Sequence, residues 1–280
     1  MSTPDLPLTL GELLRQARAG LPHPREANLL VAHALGLSAV DLYAHPERAV
    51  SAAEAQRVNA LVVRRGAGEP VAHLLGTREF YGLELRVTPD VLIPRPETEL
   101  LVDLALARIE PGAQAQVLDL GTGSGAIAVA IAQARPEVHV VAVDRSEAAL
   151  SVARGNAEHH HLDNLGFVQG TWFEPLTGQS FNIVVSNPPY VASADPHLKR
   201  GDVRFEPLTA LAAGPEGLDD LWAIISEAPK HMNKGGWLLL EHGADQQAAV
   251  LELLASEGFS ECLGHNDLAG LPRAVSARRP

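Results

Sequence analysis

The feature that most constrains the fold is a glycine-rich turn between an apolar strand pattern and an apolar helix pattern. Residues 117–120 form a short, mostly apolar run, residues 121–125 read Gly-Thr-Gly-Ser-Gly, and residues 126–135 have the composition of a buried helix. A second apolar run at residues 138–143 ends at Asp144. Near-continuous apolar strands that alternate with helices are typical of a parallel sheet covered on both faces. The chain is therefore predicted to contain an α/β domain with a mostly parallel sheet.

The same alternation continues toward the C-terminus. Further strands are predicted at residues 167–168, 181–185 and 236–241, and a helix is predicted at residues 221–231. The polar, proline-containing segment 193–217 lies between two of these elements. A loop of this length in a compact domain is usually functional or flexible.

The first part of the chain has a different pattern, which is helical. Apolar residues recur at helical spacing after Thr9, Pro24 and Ser51, and these residue types often begin helices. Glu54 follows Ser51 at the spacing of a capping box. Residues 78–87 then alternate between apolar and polar side chains, which predicts a β-hairpin.

These patterns predict three parts along the chain. Residues 1–75 form a helical domain, residues 76–96 form a hairpin linker, and residues 97–280 form the α/β domain. With 280 residues and 46% hydrophobic residues, the chain is long and apolar enough to bury a core of this size.

Composition also excludes several classes of protein. A single cysteine, Cys262, rules out a disulfide within the chain and fits a reducing compartment. A net charge of −12 disfavours stable binding to nucleic-acid phosphates. The N-terminal segment lacks the pattern of a signal peptide, and no apolar run is long enough to span a bilayer. We therefore expect a cytoplasmic protein without membrane contact.

Two carboxylates, one just before the glycine-rich turn and one at the end of the next predicted strand, indicate which ligand the turn binds. Asp144 follows Gly125 by 19 residues, where a carboxylate can accept hydrogen bonds from ribose hydroxyls. Asp119 precedes Gly121 by two residues, where it would repel a pyrophosphate but would suit a cation, such as the ammonium group of S-adenosylmethionine. The Gly-x-Gly-x-Gly spacing also differs from that of dinucleotide-binding folds. A tight strand-to-helix turn without a ligand is the alternative interpretation.

The tetrapeptide Asn187-Pro188-Pro189-Tyr190 follows the strand predicted at residues 181–185. The prolines remove backbone donors, so that a planar –NH₂ group could donate to the Asn187 side chain and to the Pro188 carbonyl. Tyr190 could stack on the planar acceptor. This arrangement predicts methylation of a planar nitrogen by positioning and desolvation rather than by a strong base. A proline-rich turn without chemistry is the alternative.

At this point the sequence resembles a known family, the peptide chain release factor protein-(glutamine-N5) methyltransferases of the PrmC/HemK type. The resemblance covers most of the chain. The matching motifs are residues 69–74, 78–80, 92–99, 121–125, 187–190 and 201–207. The tetrapeptide alone is shared with DNA adenine and some RNA methyltransferases, whereas its combination with residues 93–99 is much more specific.

The resemblance implies a Rossmann-like class I methyltransferase domain with a seven-stranded, mostly parallel sheet, a small N-terminal helical bundle and a connecting hairpin. It implies transfer of a methyl group from S-adenosylmethionine to the glutamine amide in the Gly-Gly-Gln loop of release factors, which leaves S-adenosylhomocysteine. It also implies that the helical domain contributes to substrate recognition, and we expect a monomer.

Roles are carried over by position. The predicted cofactor-binding residues are Asp119, Gly121, Thr122, Gly123, Ser124, Gly125, Asp144, Trp172 and Asn187. The predicted substrate-binding residues are Phe80, Arg95, Glu97, Asn187, Pro188, Pro189 and Tyr190, of which Asn187, Pro188 and Tyr190 are predicted to be catalytic. The chain departs from the family at Thr171, where an acidic residue often lies near the adenine amine. A hydroxyl acceptor gives a hydrogen bond of about half the energy of a charged one.

Three functions remain open from the residues themselves. They are release-factor glutamine methylation, methylation of a ribosomal-protein glutamine or of a nucleic-acid amino group, and a binding module that has lost turnover. No metal is predicted, because the consecutive His159, His160 and His161 point in different directions on a helix. Glu241 and His242 are interpreted as the edge of the sheet, with little expected contact to the pocket.

Overall fold

The computed structural model describes residues 8–280 of the chain. The chain divides into two compact units. The first unit is Met1–Gly76 and the second is Thr77–Pro280. Residues 1–7 lie outside the described residues. They include the start of the predicted helical domain and the start of the segment in which no signal peptide is predicted. Each unit has its own hydrophobic core.

The smaller unit is helical over the part of it that is described. Its helices are α1 (Leu10–Ala19), α2 (Pro24–Leu35), α3 (Asp41–Ala44), α4 (Ala52–Gly66) and α5 (Val71–Leu75). Ser51 and Glu54 form the predicted capping box at the start of α4, with the Ser51 N–H 2.8 Å from a Glu54 carboxylate oxygen. Gly36 ends α2 in the left-handed region, at φ 63°, as is usual for glycine at a helix end. The predicted helical bundle is confirmed.

The larger unit begins with the predicted hairpin. Strands β1 (Thr77–Phe80) and β2 (Leu83–Arg86) pair in antiparallel fashion. Phe80 and Leu85 are buried in the core of the α/β unit, and the hairpin therefore belongs to this unit as part of its packing. The division into three parts made from the sequence stays a prediction.

A seven-stranded sheet forms the centre of the larger unit. Its strands are β3 (Gln116–Leu120), β4 (His139–Asp144), β5 (Leu165–Gln169), β6 (Phe181–Ser186), β7 (Met232–Glu241), β8 (Ser260–Asn266) and β9 (Pro272–Arg278). The strand order is β5-β4-β3-β6-β7-β9-β8. Strands β3 to β7 are parallel to one another, whereas β9 is antiparallel to both β7 and β8.

Helices cover both faces of this sheet. They are α6 (Glu99–Leu106), α7 (Ala126–Ala134), α8 (Glu147–His159), α9 (Asp219–Glu227) and α10 (Gln247–Ser256). Val117 packs in one core with α6 and α7, whereas its neighbour Leu118 packs in the other core with α9 and α10. Because successive side chains of a strand point to opposite faces, an apolar run is needed to fill both cores. The predicted fold class, including the bundle and the hairpin, is confirmed.

Several boundaries differ from the sequence prediction for local reasons. Helix α9 ends at Glu227, and a 3₁₀ turn, Ala228–Lys230, follows it because Pro229 lacks the N–H that would continue the helix. The segment 193–217 contains three further 3₁₀ turns, at Pro196–Lys199, Gly201–Phe205 and Leu208–Ala210. Among residues 8–280, the helices are all too short or too polar to cross a membrane.

Asn156 on α8 links the hairpin to the glycine-rich turn. Its side-chain oxygen accepts a hydrogen bond from the Arg86 N–H at 2.7 Å, and its amide nitrogen donates to the carbonyls of Arg86 and Ser124 at 3.0 and 2.8 Å. The side chain is buried, so water cannot replace these bonds.

We therefore expect Asn156→Ala to lower the free energy of unfolding by about 2–3 kcal/mol, because three backbone groups lose their partner and one of them, the Ser124 carbonyl, is buried. Urea denaturation of the full chain measures this change. Asn266→Ala, at an exposed position of the same unit, is the matched control and should change the value by less than about 0.5 kcal/mol. Equal effects of the two substitutions would contradict the structural role of Asn156.

Candidate active site

The pairing of β3 with β6 places two predicted motifs side by side. Leu120, the last residue of β3, pairs with Ser186, the last residue of β6, and the Ser186 hydroxyl donates to the Leu120 carbonyl at 2.7 Å. Gly121 directly follows β3, and Asn187 directly follows β6. The glycine-rich turn and the tetrapeptide therefore begin at the same edge of the sheet, where ligands bind in open α/β folds.

Glycine is required in the turn for two different reasons. At Gly121, where φ is 69°, a Cβ atom would lie 3.2 Å from the Trp172 ring, and at Gly125, where φ is 82°, it would lie 3.0 Å from the Ala153 Cβ. Gly123, at φ 55°, instead faces open space and lines a cavity. The turn thus packs tightly on both sides while its centre leaves room for a ligand.

Asp144 lies at the end of β4 and faces the same cavity. Its two carboxylate oxygens accept hydrogen bonds from the N–H groups of Gly123 and Ser146, each at 2.9 Å. A carboxylate has roughly four acceptor positions, so positions remain for the hydroxyls of a ribose. The two N–H donors hold the carboxylate in place before any ligand binds.

Asp119 lies beneath the turn rather than in the cavity wall. Its side chain is 1% exposed and accepts a hydrogen bond from the Thr122 hydroxyl at 2.6 Å. Burial raises the pKa of Asp119 from 3.8 to about 7, although the Thr122 hydroxyl and the Ala128 N–H oppose the shift. The geometry gives Asp119 the role of fixing the turn, and direct contact with a cofactor ammonium stays a prediction.

The cavity has a volume of about 300 Å³. It is lined by residues from four places in the larger unit: the connector after the hairpin, the ends of β3 to β6 with the loops that follow them, the segment after the tetrapeptide, and the start of α9. The lining residues are Pro89, Asp90, Val91, Leu92, Gly121, Gly123, Asp144, Arg145, Ser146, Ala149, Gly170, Thr171, Trp172, Asn187, Pro189, Pro207, Thr209, Ala210 and Asp220.

Part of the predicted site is brought together by this cavity. Of the predicted cofactor and substrate residues, those in the wall are Gly121, Gly123, Asp144, Trp172, Asn187 and Pro189. Thr122, Ser124 and Gly125 are buried behind the wall, and Pro188 is also buried. Their predicted roles in binding the cofactor or the substrate stay predictions, while their backbone geometry shapes the turns.

Besides Pro188, four predicted substrate residues, Phe80, Arg95, Glu97 and Tyr190, do not line the cavity. Phe80 is 1% exposed and belongs to the core on one face of the sheet, so the geometry gives no support for its direct contact with a substrate. Side chains alternate between the two faces of the hairpin, and Phe80 lies on the face that packs against the core. Arg95 forms an ion pair with Glu206, and Glu97 is exposed. These residues are not in the cavity wall.

Glu206 joins two segments next to the cavity, and the sequence did not single it out as a site residue. Its buried carboxylate accepts a hydrogen bond from the Ile93 N–H at 2.9 Å and another from the Arg95 guanidinium. The two segments that it joins, 89–92 and 207–210, both contribute to the cavity wall. A carboxylate buried between two loops is stabilised by such paired donors, and it holds the loops at a fixed separation.

The tetrapeptide is anchored by a second buried carboxylate, Glu241. The Asn187 amide donates to the Thr98 hydroxyl at 3.1 Å, the Thr98 hydroxyl lies 2.7 Å from one Glu241 oxygen, and the Tyr190 hydroxyl donates to the other at 3.0 Å. Burial raises the pKa of Glu241 to about 7 and also raises the pKa of Tyr190. Glu241 was expected to be an edge residue with little contact to the pocket; it does not line the cavity, and it lies behind the tetrapeptide.

The remaining wall residues were also missed by the sequence analysis. Arg145 and Ser146 follow Asp144 directly, so proximity along the chain was a usable signal. Asp220 and Thr209 carried no local signal, because they reach the cavity only through the path of the segment after the tetrapeptide. Thr171, where the family often has an acidic residue, does line the cavity.

Metal chemistry has no visible site in the part of the chain that is described. Residues 8–280 contain no group of three or more His, Cys, Asp or Glu side chains arranged to hold a metal ion. His160 instead has its Nε2 atom 2.9 Å from the Glu84 carbonyl.

Comparisons with known proteins define the class of protein first. Residues 112–268 match the model of a methyltransferase domain, and residues 12–76 match the model of the PrmC N-terminal domain. The larger unit, which holds the cavity, is therefore a methyltransferase domain.

Similar proteins then define the family. The chain is 49% identical to a release factor glutamine methyltransferase of Burkholderia pseudomallei, with 100% of this chain and 99% of that protein covered. It is 45% identical to the release factor glutamine methyltransferase of Escherichia coli, with 90% and 91% covered. The chain belongs to the release factor glutamine methyltransferase family, and the resemblance found in the sequence is confirmed.

Solved structures support the fold. A methyltransferase from Pyrococcus furiosus has a TM-score of 0.54 at 18% identity, with 79% of this chain and 97% of that chain covered. A ribosomal protein L11 methylase from Lactobacillus delbrueckii has a TM-score of 0.52 at 19% identity, with 70% and 86% covered.

The raised pKa of Asp119 predicts a pH dependence of stability. Because the folded state holds the Asp119 proton more tightly than the unfolded state, the contribution of Asp119 to the free energy of unfolding should fall as pH rises from about 4 to about 7. The contribution is at most about 4 kcal/mol over this range. Asp119→Asn should make the decline shallower, as measured by urea denaturation at several pH values.

Asp163→Asn, at an exposed position, is the control for this comparison and should leave the slope unchanged. Glu241 adds a decline of the same sign in both proteins, so only the difference between the slopes is attributed to Asp119. An Asp119→Asn protein with the slope of the unsubstituted chain would contradict the burial argument.

Proposed function

We propose that this chain transfers a methyl group from S-adenosylmethionine to the side-chain amide N5 of the glutamine in the Gly-Gly-Gln loop of peptide chain release factors. The observation that carries the proposal is the adjacent placement of the glycine-rich turn and the Asn187 tetrapeptide at one cavity. The chain is a member of the release factor glutamine methyltransferase family, and the methyltransferase prediction is confirmed.

The residues around the cavity fit S-adenosylmethionine, which membership of the family implies as the methyl donor. Gly123 leaves open space where a side chain would stand, and Asp144 presents an oriented carboxylate for ribose hydroxyls. Trp172 offers an apolar ring in the same wall. When bound there, the cofactor supplies a sulfonium methyl group, and the chain itself supplies the positions of the reacting atoms.

Asn187 is the residue of the tetrapeptide best placed to receive the glutamine. It lies in the cavity wall immediately after β6, next to Gly121 at the end of β3. An acceptor amide could donate one hydrogen bond to the Asn187 side-chain oxygen and another to the Pro188 carbonyl. These two bonds would fix the plane and the direction of the nitrogen. Catalysis would then come from positioning and from exclusion of water.

The alternative acceptors receive less support. A ribosomal-protein glutamine would present the same amide, but the similar proteins that cover 87–100% of this chain are named for release factors. A nucleic-acid amino group would bring phosphates toward a chain of net charge −12. We therefore propose a protein substrate and no stable binding to nucleic acid, together with a monomeric, cytoplasmic enzyme.

The smaller unit is proposed to recognise the release factor outside its modified loop. Within residues 8–76 it exposes four large hydrophobic side chains, namely Leu29, Val40, Tyr43 and Val63. Exposed apolar residues of this kind contribute to protein interfaces when they form a patch. A glutamine loop alone presents little surface, so contacts at a second place would add affinity.

Labelled S-adenosylmethionine tests the proposed acceptor directly. The protein is incubated separately with a release factor, with ribosomal proteins and with DNA, and label is expected in the release factor at its Gly-Gly-Gln glutamine. The position is read by mass spectrometry. Label in DNA alone, or in ribosomal protein alone, would exclude the proposed substrate.

Two variants separate acceptor binding from cofactor binding. Asn187→Ala should keep cofactor affinity and lose about 10²–10³-fold in kcat, roughly 3–4 kcal/mol, because an oriented acceptor bond is removed. Asp144→Asn should weaken cofactor binding at least tenfold, since an amide cannot accept on both sides. Calorimetry with the cofactor and single-turnover kinetics with a release factor distinguish the two. Unchanged turnover in Asn187→Ala would disprove the amide clamp.

Removal of the smaller unit tests its role. A protein with residues 77–280 should bind cofactor as the full chain does and should show a KM for the release factor raised at least tenfold. A short peptide that contains only the Gly-Gly-Gln loop is the control substrate, and its KM should be the same with both proteins. Equal loss of cofactor binding and of methylation would mean that the unit is needed for folding instead.

A further inference from the structure

The Asn187 side chain is connected to a carboxylate that lies outside the cavity wall. The connection runs from Asn187 Nδ2 to Thr98 Oγ1 over 3.1 Å and from Thr98 Oγ1 to Glu241 Oε2 over 2.7 Å. Thr98 and Glu241 are 4% and 1% exposed, so water does not compete for these bonds. Thr98 lies just before α6 and Glu241 at the end of β7, and these residues are 143 positions apart in the chain.

The chemistry of the three groups fixes the direction of each hydrogen bond. Above about pH 7 the Glu241 carboxylate is ionised and only accepts hydrogen bonds, so the single hydroxyl proton of Thr98 points to Glu241. The Thr98 oxygen then has only lone pairs to offer toward Asn187. An amide nitrogen donates and an amide oxygen accepts, so the Asn187 nitrogen must face Thr98. The Asn187 oxygen is consequently directed to the opposite side.

We propose that Glu241 is a positioning residue that acts through Thr98 to hold the Asn187 amide with its oxygen toward the acceptor nitrogen. This inference rests on the proposed function of the site and adds a reason for its geometry. Glutamine in place of Glu241 could present either its oxygen or its nitrogen to Thr98, so the Asn187 amide, whose oxygen and nitrogen have nearly the same shape, would no longer be held in one orientation. A reversed amide would present a donor to the substrate –NH₂ group, which is itself a donor.

The second oxygen of Glu241 holds the other end of the tetrapeptide. It accepts a hydrogen bond from the Tyr190 hydroxyl at 3.0 Å. One carboxylate therefore fixes both Asn187, through Thr98, and Tyr190, directly. The charged and titratable groups that act on this carboxylate are Tyr190 from the tetrapeptide, Arg273 from β9 and Glu97 from the turn before α6.

Single-turnover methylation of a release factor at saturating cofactor tests the proposal. Glu241→Gln and Thr98→Val should each lower the rate at least tenfold, while the Kd for S-adenosylmethionine stays within about threefold of the original value. Thr98→Ser keeps the hydroxyl and should retain the original rate. The double variant should be no slower than the slower single variant, because both substitutions break the same chain of bonds.

Two further measurements exclude a general structural effect. The rate of the unsubstituted protein should fall as pH decreases below about 7, where Glu241 becomes protonated, and the fall should be smaller in Glu241→Gln, in which Asp119 still titrates in this range. Glu252→Gln, at an exposed position on α10, is the matched control and should behave as the original chain. Urea denaturation of each variant verifies that it is folded. If Glu241→Gln does not fold, the single-turnover rate of Thr98→Val tests the proposal without it.

The orientation of the amide is also measured without a substrate. In protein labelled with ¹⁵N-asparagine, the Asn187 side-chain signals should shift in Glu241→Gln and Thr98→Val but not in Glu252→Gln. If the unsubstituted protein does not methylate a release factor, the proposed function is overturned. The Asn187 side-chain signals would still test the inference in that case. An original rate in Thr98→Val, or unshifted Asn187 signals in both variants, would overturn the inference.

Discussion

The candidate site depends on the register between β3 and β6. Leu120 pairs with Ser186, and the Ser186 hydroxyl bonds to the Leu120 carbonyl within the sheet. Because both strands are parallel and end at the same level, the residues that follow them, Gly121 and Asn187, begin their loops together. A shift of one residue in this pairing would reverse the faces of one strand and separate the two motifs. The two apolar cores that cover the sheet oppose such a shift.

Buried carboxylates fix the loops around this edge. Asp119 bonds to Thr122 within the glycine-rich turn, Glu206 joins the connector at Ile93 to the segment after the tetrapeptide, and Glu241 lies behind the tetrapeptide. Burial of a carboxylate is costly unless donors surround it. Each of the three receives hydrogen bonds from groups in the loops that it orders. The loops are held in place before a ligand binds, which favours a reaction that relies on positioning.

Local patterns in the sequence predicted the features that local interactions control. The capping box of Ser51 and Glu54 involves residues three positions apart, and the hairpin around Gly82 involves immediate neighbours. The strand-turn-helix pattern around Gly121 is also local. Strands β8 and β9 were both missed. Strand β8 lies at the edge of the sheet with most of its side chains exposed, so its apolar signal is weak, whereas β9 lies between β7 and β8 and is largely buried.

The sequence by itself determined the fold class, the glycine-rich turn with Asp144, and the tetrapeptide as a place to hold a planar nitrogen. These features are encoded by residues that are close in the chain. The tertiary structure alone decided that Phe80 packs in the core, that Glu206 reaches Ile93 across 113 positions, and that Glu241 reaches Thr98 across 143. Such contacts depend on strand order and loop paths, which no short segment specifies. For this reason the polarity of the Asn187 amide became visible only in the folded chain.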